Sequence, residues 1–383
     1  MPYKLYRGSE INDYLRCRLR WDYRWNKKMK PKKHDGKLFF GELYHKFQEV
    51  YYQSGDEEAA HIAMKALYED TDTSKMDQVE LDGLMELATA VTSGYVNMWK
   101  KKDKHTATLA TELTFAIPIS DKIAYAGTID RIYLDADQRL WLKDYKTAAS
   151  IERYRSASEM DRQISRYLWA MQRLCRGEGY ILLPSPDTSH ESGNEWIPIS
   201  ETAFGAAIAR MEVYGFEYDI VAKDVPTRPE LLKKGGLSVA KAQKTTYALY
   251  LEALLAHGWA QYATNPDGDL FLVTDDKYEE MLQHLKNQED ESGNKFFRRF
   301  EVRRHQEEMD ASMIEFLAQA GEAEALRTSE GHSALIYRNV THDCSWDCPF
   351  KQVCIGTMDG SRMDEVIGLF YEKEEPAWPE LKR

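Results

Sequence analysis

The order of elements along the chain predicts an α/β protein, a β-sheet flanked by helices. Two observations carry that prediction. Residues 108–118, 122–134 and 138–147 read as three consecutive strands, with the turn-forming DADQ at 135–138 between the last two. Longer segments with apolar residues at helical spacing lie on either side of them.

The elements follow in order. Ser9 can cap a helix from Glu10 to Trp25. Phe40, Leu43, Tyr44, Phe47 and Val50 give a helix from Phe39 to Gln53, and two more are expected over 56–70 and 76–103. After the three strands come a helix over 157–175 and a fourth strand in GYILLPSP. The segment 224–265 starts basic and polar and then turns helical. At 383 residues the chain has room for one large domain or two, and we read three regions: 1–200, 201–330 and 331–383. No internal repeat or low-complexity linker interrupts them.

The third strand, RLWLKDYKT, carries the chemistry. Leu140, Leu142, Asp144 and Lys146 share one parity; Trp141, Lys143 and Tyr145 share the other. Alternate residues of a strand project from one face, so Asp144 and Lys146 point together. A hairpin with the preceding strand, GTIDRI, brings Asp130 beside Asp144. Two such carboxylates repel unless one is protonated or a cation bridges them. Hard oxygen ligands suit Mg²⁺ or Mn²⁺, which polarises a phosphate oxygen and orients a hydroxide. Lys146 then adds a positive charge beside the attacked phosphate. Taken alone, Asp-x-Lys on a strand is common on solvated faces. One helix later, QISRY places Gln163 and Tyr167 four residues apart on one helix face.

The series GTID, DYKT and QISRY, preceded by FFGELYHKF with Gly41 and His45, resembles the RecB-like branch of the PD-(D/E)xK nucleases. The resemblance implies a restriction-endonuclease-like core, a mixed central sheet flanked by helices with helical additions. It implies that His45, Asp130 and Asp144 are metal ligands and Lys146 is the catalytic lysine. Gln163 and Tyr167 would position the nucleic-acid backbone or the lysine. Glu112, in TELTFAI on the first strand, is a further metal ligand by the same likeness.

The five cysteines are too few and too unevenly spaced for a disulfide framework. With no secretory leader and no long apolar run, the expected setting is a reducing cytoplasm, bacterial or that of a phage host, with no membrane association. Cys344, Cys348 and Cys354 lie together in CSWDCPFKQVC and read as metal ligands; Cys17 could supply a fourth. This one-plus-three arrangement resembles the iron–sulfur staple of RecB-like nucleases, which implies a 4Fe–4S cluster on Cys17, Cys344, Cys348 and Cys354. Three residues separate the first two C-terminal cysteines, where many such proteins have two. Four thiolates also suit zinc, and free thiols are the third reading. Cys175 is read as structural.

The net charge of −12 argues against a protein that coats nucleic acid, though local fields rather than totals guide DNA. Arg16 to Lys37 holds ten Lys or Arg residues interleaved with Trp21, Tyr23 and Trp25, a pattern that can neutralise phosphates and stack bases or simply form a solvated face. Lys233, Lys234, Lys241 and Lys244 cluster near Gly235 and Gly236, whose amides could meet phosphate. Arg298, Arg299, Arg303 and Arg304 follow in KFFRRFEVRRHQEE. These two stretches resemble parts of phage-encoded RecB-like exonucleases, and we take Lys233, Lys234, Lys241, Lys244, Arg298 and Arg299 as candidate DNA contacts. No Walker motif is present, so no motor is encoded in this sequence. The expectation is a metal-dependent exonuclease acting on DNA ends in recombination, repair or phage DNA processing, alongside a recombinase, helicase or single-strand-binding partner. The alternative is a protein of the same fold that binds nucleic acid without cutting it.

Overall fold

The computed structural model describes residues 2–33, 35–72, 75–185, 193–328, 332–375 and 378–381. A short strand β1 (Lys4–Arg7) leads into α1 (Gly8–Arg16) and α2 (Arg18–Trp21), then β2 (Met29–Pro31). The helix expected from Glu10 to Trp25 is therefore broken at Cys17, which is extended at φ −162° and ψ 113°. Its partners explain the break. The Asn339 amide donates to Cys17 Sγ at 3.3 Å, and the Leu19 amide donates to the Tyr337 carbonyl at 3.2 Å.

Three helices follow: α3 (Gly36–Ser54), α4 (Glu57–Glu69) and α5 (Gln78–Asp103). Each begins at an aspartate, Asp35, Asp56 or Asp77, whose side chain accepts from first-turn amides left without helical partners. Strands β3 (Ala107–Pro118), β4 (Ile123–Leu134) and β5 (Leu140–Ala148) come next. The helix expected over 157–175 is two, α6 (Ile151–Ser158) and α7 (Arg162–Cys175), because Asp161 turns extended and caps the second. Beyond lie β6 (Tyr180–Pro184), β7 (Asn194–Pro198), α8 (Ala203–Ile208) and β8 (Val213–Ala222). Then come α9 (Tyr247–Ala256), β9 (Ala260–Thr264), β10 (Leu270–Thr274), α10 (Asp276–Lys286), β11 (Phe297–Val302) and α11 (Gln306–Thr328). The chain closes with α12 (Lys351–Asp359), α13 (Met363–Phe370) and β12 (Tyr371–Lys373).

Eight strands form one mixed sheet in the order β11-β8-β5-β4-β3-β6-β7, with β1 parallel to β4. β8 runs parallel to β5; the β3–β4 and β4–β5 pairs are antiparallel. The face of β5 that carries Tyr145 meets α3, where Tyr44 packs edge-on at 6.2 Å. The face that carries Asp144 meets α7. Since β8 and β11 belong to this sheet, only the excursion between them, within the expected 201–330 region, has a core of its own: Leu237, Tyr250, Leu254, Tyr278, Met281 and Leu282 among others. The two ends of the chain meet where β12 pairs antiparallel with β2 and Tyr3 bridges to Leu381.

A buried ionic network ties β5, β8, β11 and α5 together, and it corrects one expected DNA contact. Arg299 is 5% exposed. Its guanidinium donates to both Asp103 carboxylate oxygens at 2.6 and 2.8 Å, to Asp219 at 2.8 Å and to the Tyr95 hydroxyl at 2.9 Å. Lys143 pairs with the same Asp219 at 3.1 Å and with Glu217. Buried, and with most of its donors spent on these partners, Arg299 is a structural cation rather than a surface contact for phosphate. Arg298 is half-buried, its Nη2 pairing with Asp290 at 3.2 Å and donating to the Gly293 carbonyl. Arg304, from the same basic run, holds the turn before α7 through the Ser158 and Glu159 carbonyls at 2.7 and 2.9 Å.

In the basic stretch 16–37 the aromatic residues turn inward while Arg24, Lys27, Lys28, Lys32, Lys33 and Lys37 stay exposed. Trp21 is wholly buried and Tyr23 nearly so, while Arg20 and Arg24 pair with Asp13 at 2.6 and 3.1 Å. Lys233, Lys234, Lys241 and Lys244 are all exposed, with Lys244 paired to Asp224 at 2.8 Å. The Gly235 amide is spent within its own turn on the Leu232 carbonyl, which corrects its expected phosphate contact.

Candidate active site

The site forms where the β4–β5 ladder ends. The last pair on that side is Arg131 with Lys143, so Asp130 and Asp144 stand one step past it. There the strands separate, and Asp130 Oδ2 accepts from the Tyr145 amide at 2.7 Å instead of a backbone carbonyl doing so. On the far side of β4, Glu112 interrupts β3. Its neighbours Thr111 and Leu113 pair with Arg131 and Ile129, while Glu112 itself takes φ +47°. A side-chain-bearing residue in the left-handed region within a strand is rare. The twist aims its carboxylate at His45.

His45 projects from α3. Its Nδ1 lies 3.5 Å from Asp130 Oδ2 and 3.6 Å from Glu112 Oε1. Its Nε2 lies 3.1 Å from the Tyr145 carbonyl oxygen. A carbonyl only accepts, so Nε2 carries a hydrogen, and Nδ1 faces two carboxylates with either a proton or a lone pair. Burial works against a charged ring, but Asp130 and Glu112 outweigh it and raise its pKa to about 9. One ligand atom from each of His45, Glu112 and Asp130 lies within 4.8 Å of the others. One nitrogen and two hard oxygens are a donor set suited to Mg²⁺ or Mn²⁺.

Asp144 and Lys146 complete the site on the same face of β5. Asp144 Oδ2 is 2.5 Å from Lys146 Nζ, and Asp144 Oδ1 accepts from Gln163 Nε2 at 2.8 Å. Burial pushes the Asp144 carboxyl up to about 6; Lys146 opposes that and Asp130 adds to it. Burial also raises Asp130, with His45 opposing and Glu112 adding. For Lys146, burial is outweighed by Asp144 and Asp130, which hold its ammonium above the usual lysine range. Tyr167, one helical turn after Gln163, packs edge-on against Phe115 at 5.9 Å and close over Gly127; it is partly buried against the core, and its hydroxyl is hydrogen-bonded to the Gln163 side chain. Gly41 passes Thr147 with room for a methyl group, and nothing in the structure requires glycine there.

Sequence reasoning missed two neighbours of this group, Tyr218 and Asp161. Tyr218 stands beside Asp144 in the β5–β8 register, and its hydroxyl donates to Asp161. Only the alternation in VYGFEYDIVA could have hinted at Tyr218, and only with β8 known to pair with β5.

The four expected cluster cysteines are partly exposed, and none forms a disulfide. Asn339 links two of them: its amide meets Cys17 Sγ at 3.3 Å and its carbonyl lies 3.8 Å from Cys344 Sγ. Burial raises the Cys354 thiol, and the sulfurs of Cys348, Cys17 and Cys344 act on it electrostatically. Among the described residues, no three of these sulfurs lie within 4.8 Å of one another. A single zinc ion needs thiolates about 3.8 Å apart, from Zn–S bonds of about 2.3 Å in a tetrahedron. Cys175 is buried in α7, as a structural residue would be.

No helix among the described residues is long and apolar enough to cross a membrane. A search of curated proteins found no match. The model of the PD-(D/E)XK nuclease superfamily matches residues 8–213, from α1 to the start of β8, and so includes His45, Glu112, Asp130, Asp144, Lys146 and Gln163. Members of that superfamily are nucleases that use divalent metals. A match over more than half the chain, laid on a mixed sheet with its paired carboxylates and lysine at the β4–β5 opening, makes this chain a member of the PD-(D/E)XK nuclease superfamily.

Proposed function

We propose that this nuclease hydrolyses DNA from its ends in a reaction dependent on Mg²⁺ or Mn²⁺. The observation that supports it most is the convergence of His45, Glu112 and Asp130 within 4.8 Å, with Asp144 and Lys146 beside them. Those residues, with Asp144, would hold the metal, which when bound supplies Lewis-acid stabilisation of phosphate oxygens and acidifies a nearby water. The chain's own groups do the rest. Lys146, a quarter exposed and firmly protonated, presents a positive charge to the scissile phosphate. Gln163 fixes the rotation of Asp144. The exposed Lys233, Lys234, Lys241 and Lys244 offer a path for the DNA backbone. Action at ends, and a place in recombination, repair or phage DNA processing in the cytoplasm, rest on the RecB-like resemblance.

A 4Fe–4S staple on Cys17, Cys344, Cys348 and Cys354 belongs to the same proposal. It is supported by the broken helix that turns Cys17 toward Asn339, by the Asn339 carbonyl beside Cys344, and by the electrostatic influence of the other three sulfurs on Cys354.

The test is incubation of anaerobically purified protein with end-labelled linear, nicked and closed circular DNA, with Mg²⁺ or Mn²⁺. Digestion of linear but not closed circular DNA is expected. Cleavage of closed circles would make it an endonuclease, and no cleavage of any substrate would favour a non-cutting binding protein.

A further inference from the structure

We propose that Tyr218 is a positioning residue of the active site, acting on Lys146 through its ring and on Gln163 through its hydroxyl by way of Asp161. The proposal rests on the nuclease reading above.

The parallel β5–β8 register sets Tyr218 beside Asp144 and Ile220 beside Lys146. Paired residues in a ladder share a face, so Tyr218 lies on the Asp144 side of the sheet. Its side chain is wholly buried, and Lys146 Nζ sits 5.9 Å from its ring centroid, at the outer range of a cation–π contact. Its hydroxyl donates to Asp161 Oδ2 at 2.5 Å. Asp161 is the cap of α7, and its Oδ1 accepts from the Gln163 amide at 2.8 Å. Gln163 Nε2 then donates to Asp144 Oδ1 at 2.8 Å. The path Tyr218–Asp161–Gln163–Asp144 leaves β8 and returns to β5 at the residue beside its start.

An ordinary helix cap needs one carboxylate oxygen. Asp161 uses both, one to cap α7 and one to bind the strand next to the catalytic one. That fixes both the height and the rotation of the first turn of α7, which is what decides whether Gln163 reaches Asp144. Arg304 pins the preceding turn from the other side, through the Ser158 and Glu159 carbonyls. Outer groups of this kind orient the groups that act, and their loss typically costs about 10- to 100-fold in metal affinity or activity.

The experiment compares Tyr218→Phe, Asp161→Ala, their combination, and Asp161→Asn, whose amide oxygen keeps the cap and whose NH2 can donate to the phenol oxygen, so that the link survives with its direction reversed. Four quantities are read: kcat and KM on linear DNA, the Mn²⁺ dissociation constant by calorimetry, and the melting temperature. Tyr218→Phe keeps the ring and is expected to lower kcat about tenfold, leave KM for DNA within about twofold, and weaken Mn²⁺ binding by a similar factor. Asp161→Ala does the same, Asp161→Asn restores both, and the double variant is no worse than Asp161→Ala because the two lie on one path. A lowered melting temperature with unchanged kcat and Mn²⁺ affinity in Tyr218→Phe would overturn the proposal, as would multiplicative losses in the double variant. If the wild-type protein cleaves no DNA, the nuclease reading fails, and the Mn²⁺ affinity of Tyr218→Phe against wild type still decides the role of Tyr218.

Discussion

Glu112 is the residue where fold and chemistry are most directly opposed, and two substitutions separate them. Glu112→Ala and Glu112→Gly both remove a carboxylate 3.6 Å from His45 Nδ1, but only glycine relieves the backbone at φ +47°. A Cβ in the left-handed region costs about 1–2 kcal/mol. Glycine avoids that cost and adds about 0.4–1 kcal/mol of unfolded-chain entropy to be lost on folding. The difference leaves Glu112→Gly more stable than Glu112→Ala by roughly 0.5–1 kcal/mol. In a regular strand the order is reversed, because glycine there is the weaker residue by a similar amount. The sign alone is therefore diagnostic. Urea unfolding of the metal-free variants at one pH, with equal m-values, measures it. Calorimetry with Mn²⁺ on the same samples should show both variants binding more weakly than wild type. If the alanine variant proves as stable as the glycine variant, the fold does not impose the left-handed backbone and the strain argument fails.

Arg299→Met should destabilise the protein by about 3–5 kcal/mol, because it leaves Asp103 and Asp219 buried without their cation; DNA affinity of the folded protein should stay as it was, and the opposite pair of results would restore Arg299 as a DNA contact. Lys233→Ala with Lys234→Ala should reduce the slope of log affinity against log salt by about one per lost phosphate contact, with stability within about 0.5 kcal/mol of wild type; an unchanged slope returns that loop to ordinary surface. Cys17→Ala should remove both the brown colour of anaerobically purified protein and its stability, whereas a colourless wild type with one equivalent of zinc would replace the cluster by a zinc site.

What the sequence revealed and what it hid divides along the distance between partners. The Asp144–Lys146 pair was readable because strand parity is a local property, and the DADQ turn placed Asp130 near it. The break at Cys17 was not, since RCRLRW is locally a good helix and the contact that opens it comes from Asn339, 322 residues away. Arg298 and Arg299 looked alike as neighbours in a basic run. Only the fold shows that Asp103, 196 residues upstream, comes to meet Arg299. Glu112 could be suspected by likeness, but its φ belongs to the irregularity in the β3–β4 pairing between Thr111 and Leu113 and leaves no mark on the residues around it. Tyr218 acquires its place from a parallel pairing between strands separated by three helices and a hairpin, which no local pattern announces.

The metal-free site is already nearly balanced in charge, and this governs how it should respond to pH. Burial would keep Asp130 and Asp144 protonated, but His45 and Lys146 stand against them and favour their charged forms. The proton on His45 does part of what a bound cation would do. Because Nε2 is committed to the Tyr145 carbonyl, the proton that matters sits on Nδ1, facing Glu112 and Asp130. With a pKa of about 9, His45 binds protons more tightly folded than unfolded, so its contribution to metal-free stability is complete below about pH 6.5 and is lost as pH rises through about 9. A metal using Nδ1 must displace that proton. Mn²⁺ affinity should therefore increase with pH between about 7 and 9, by up to tenfold per unit, and level off above, with about one proton released per ion in buffers of different ionisation enthalpy. His45→Gln should flatten that dependence. Mn²⁺ affinity independent of pH in the wild-type protein would mean that His45 does not take part in binding the ion.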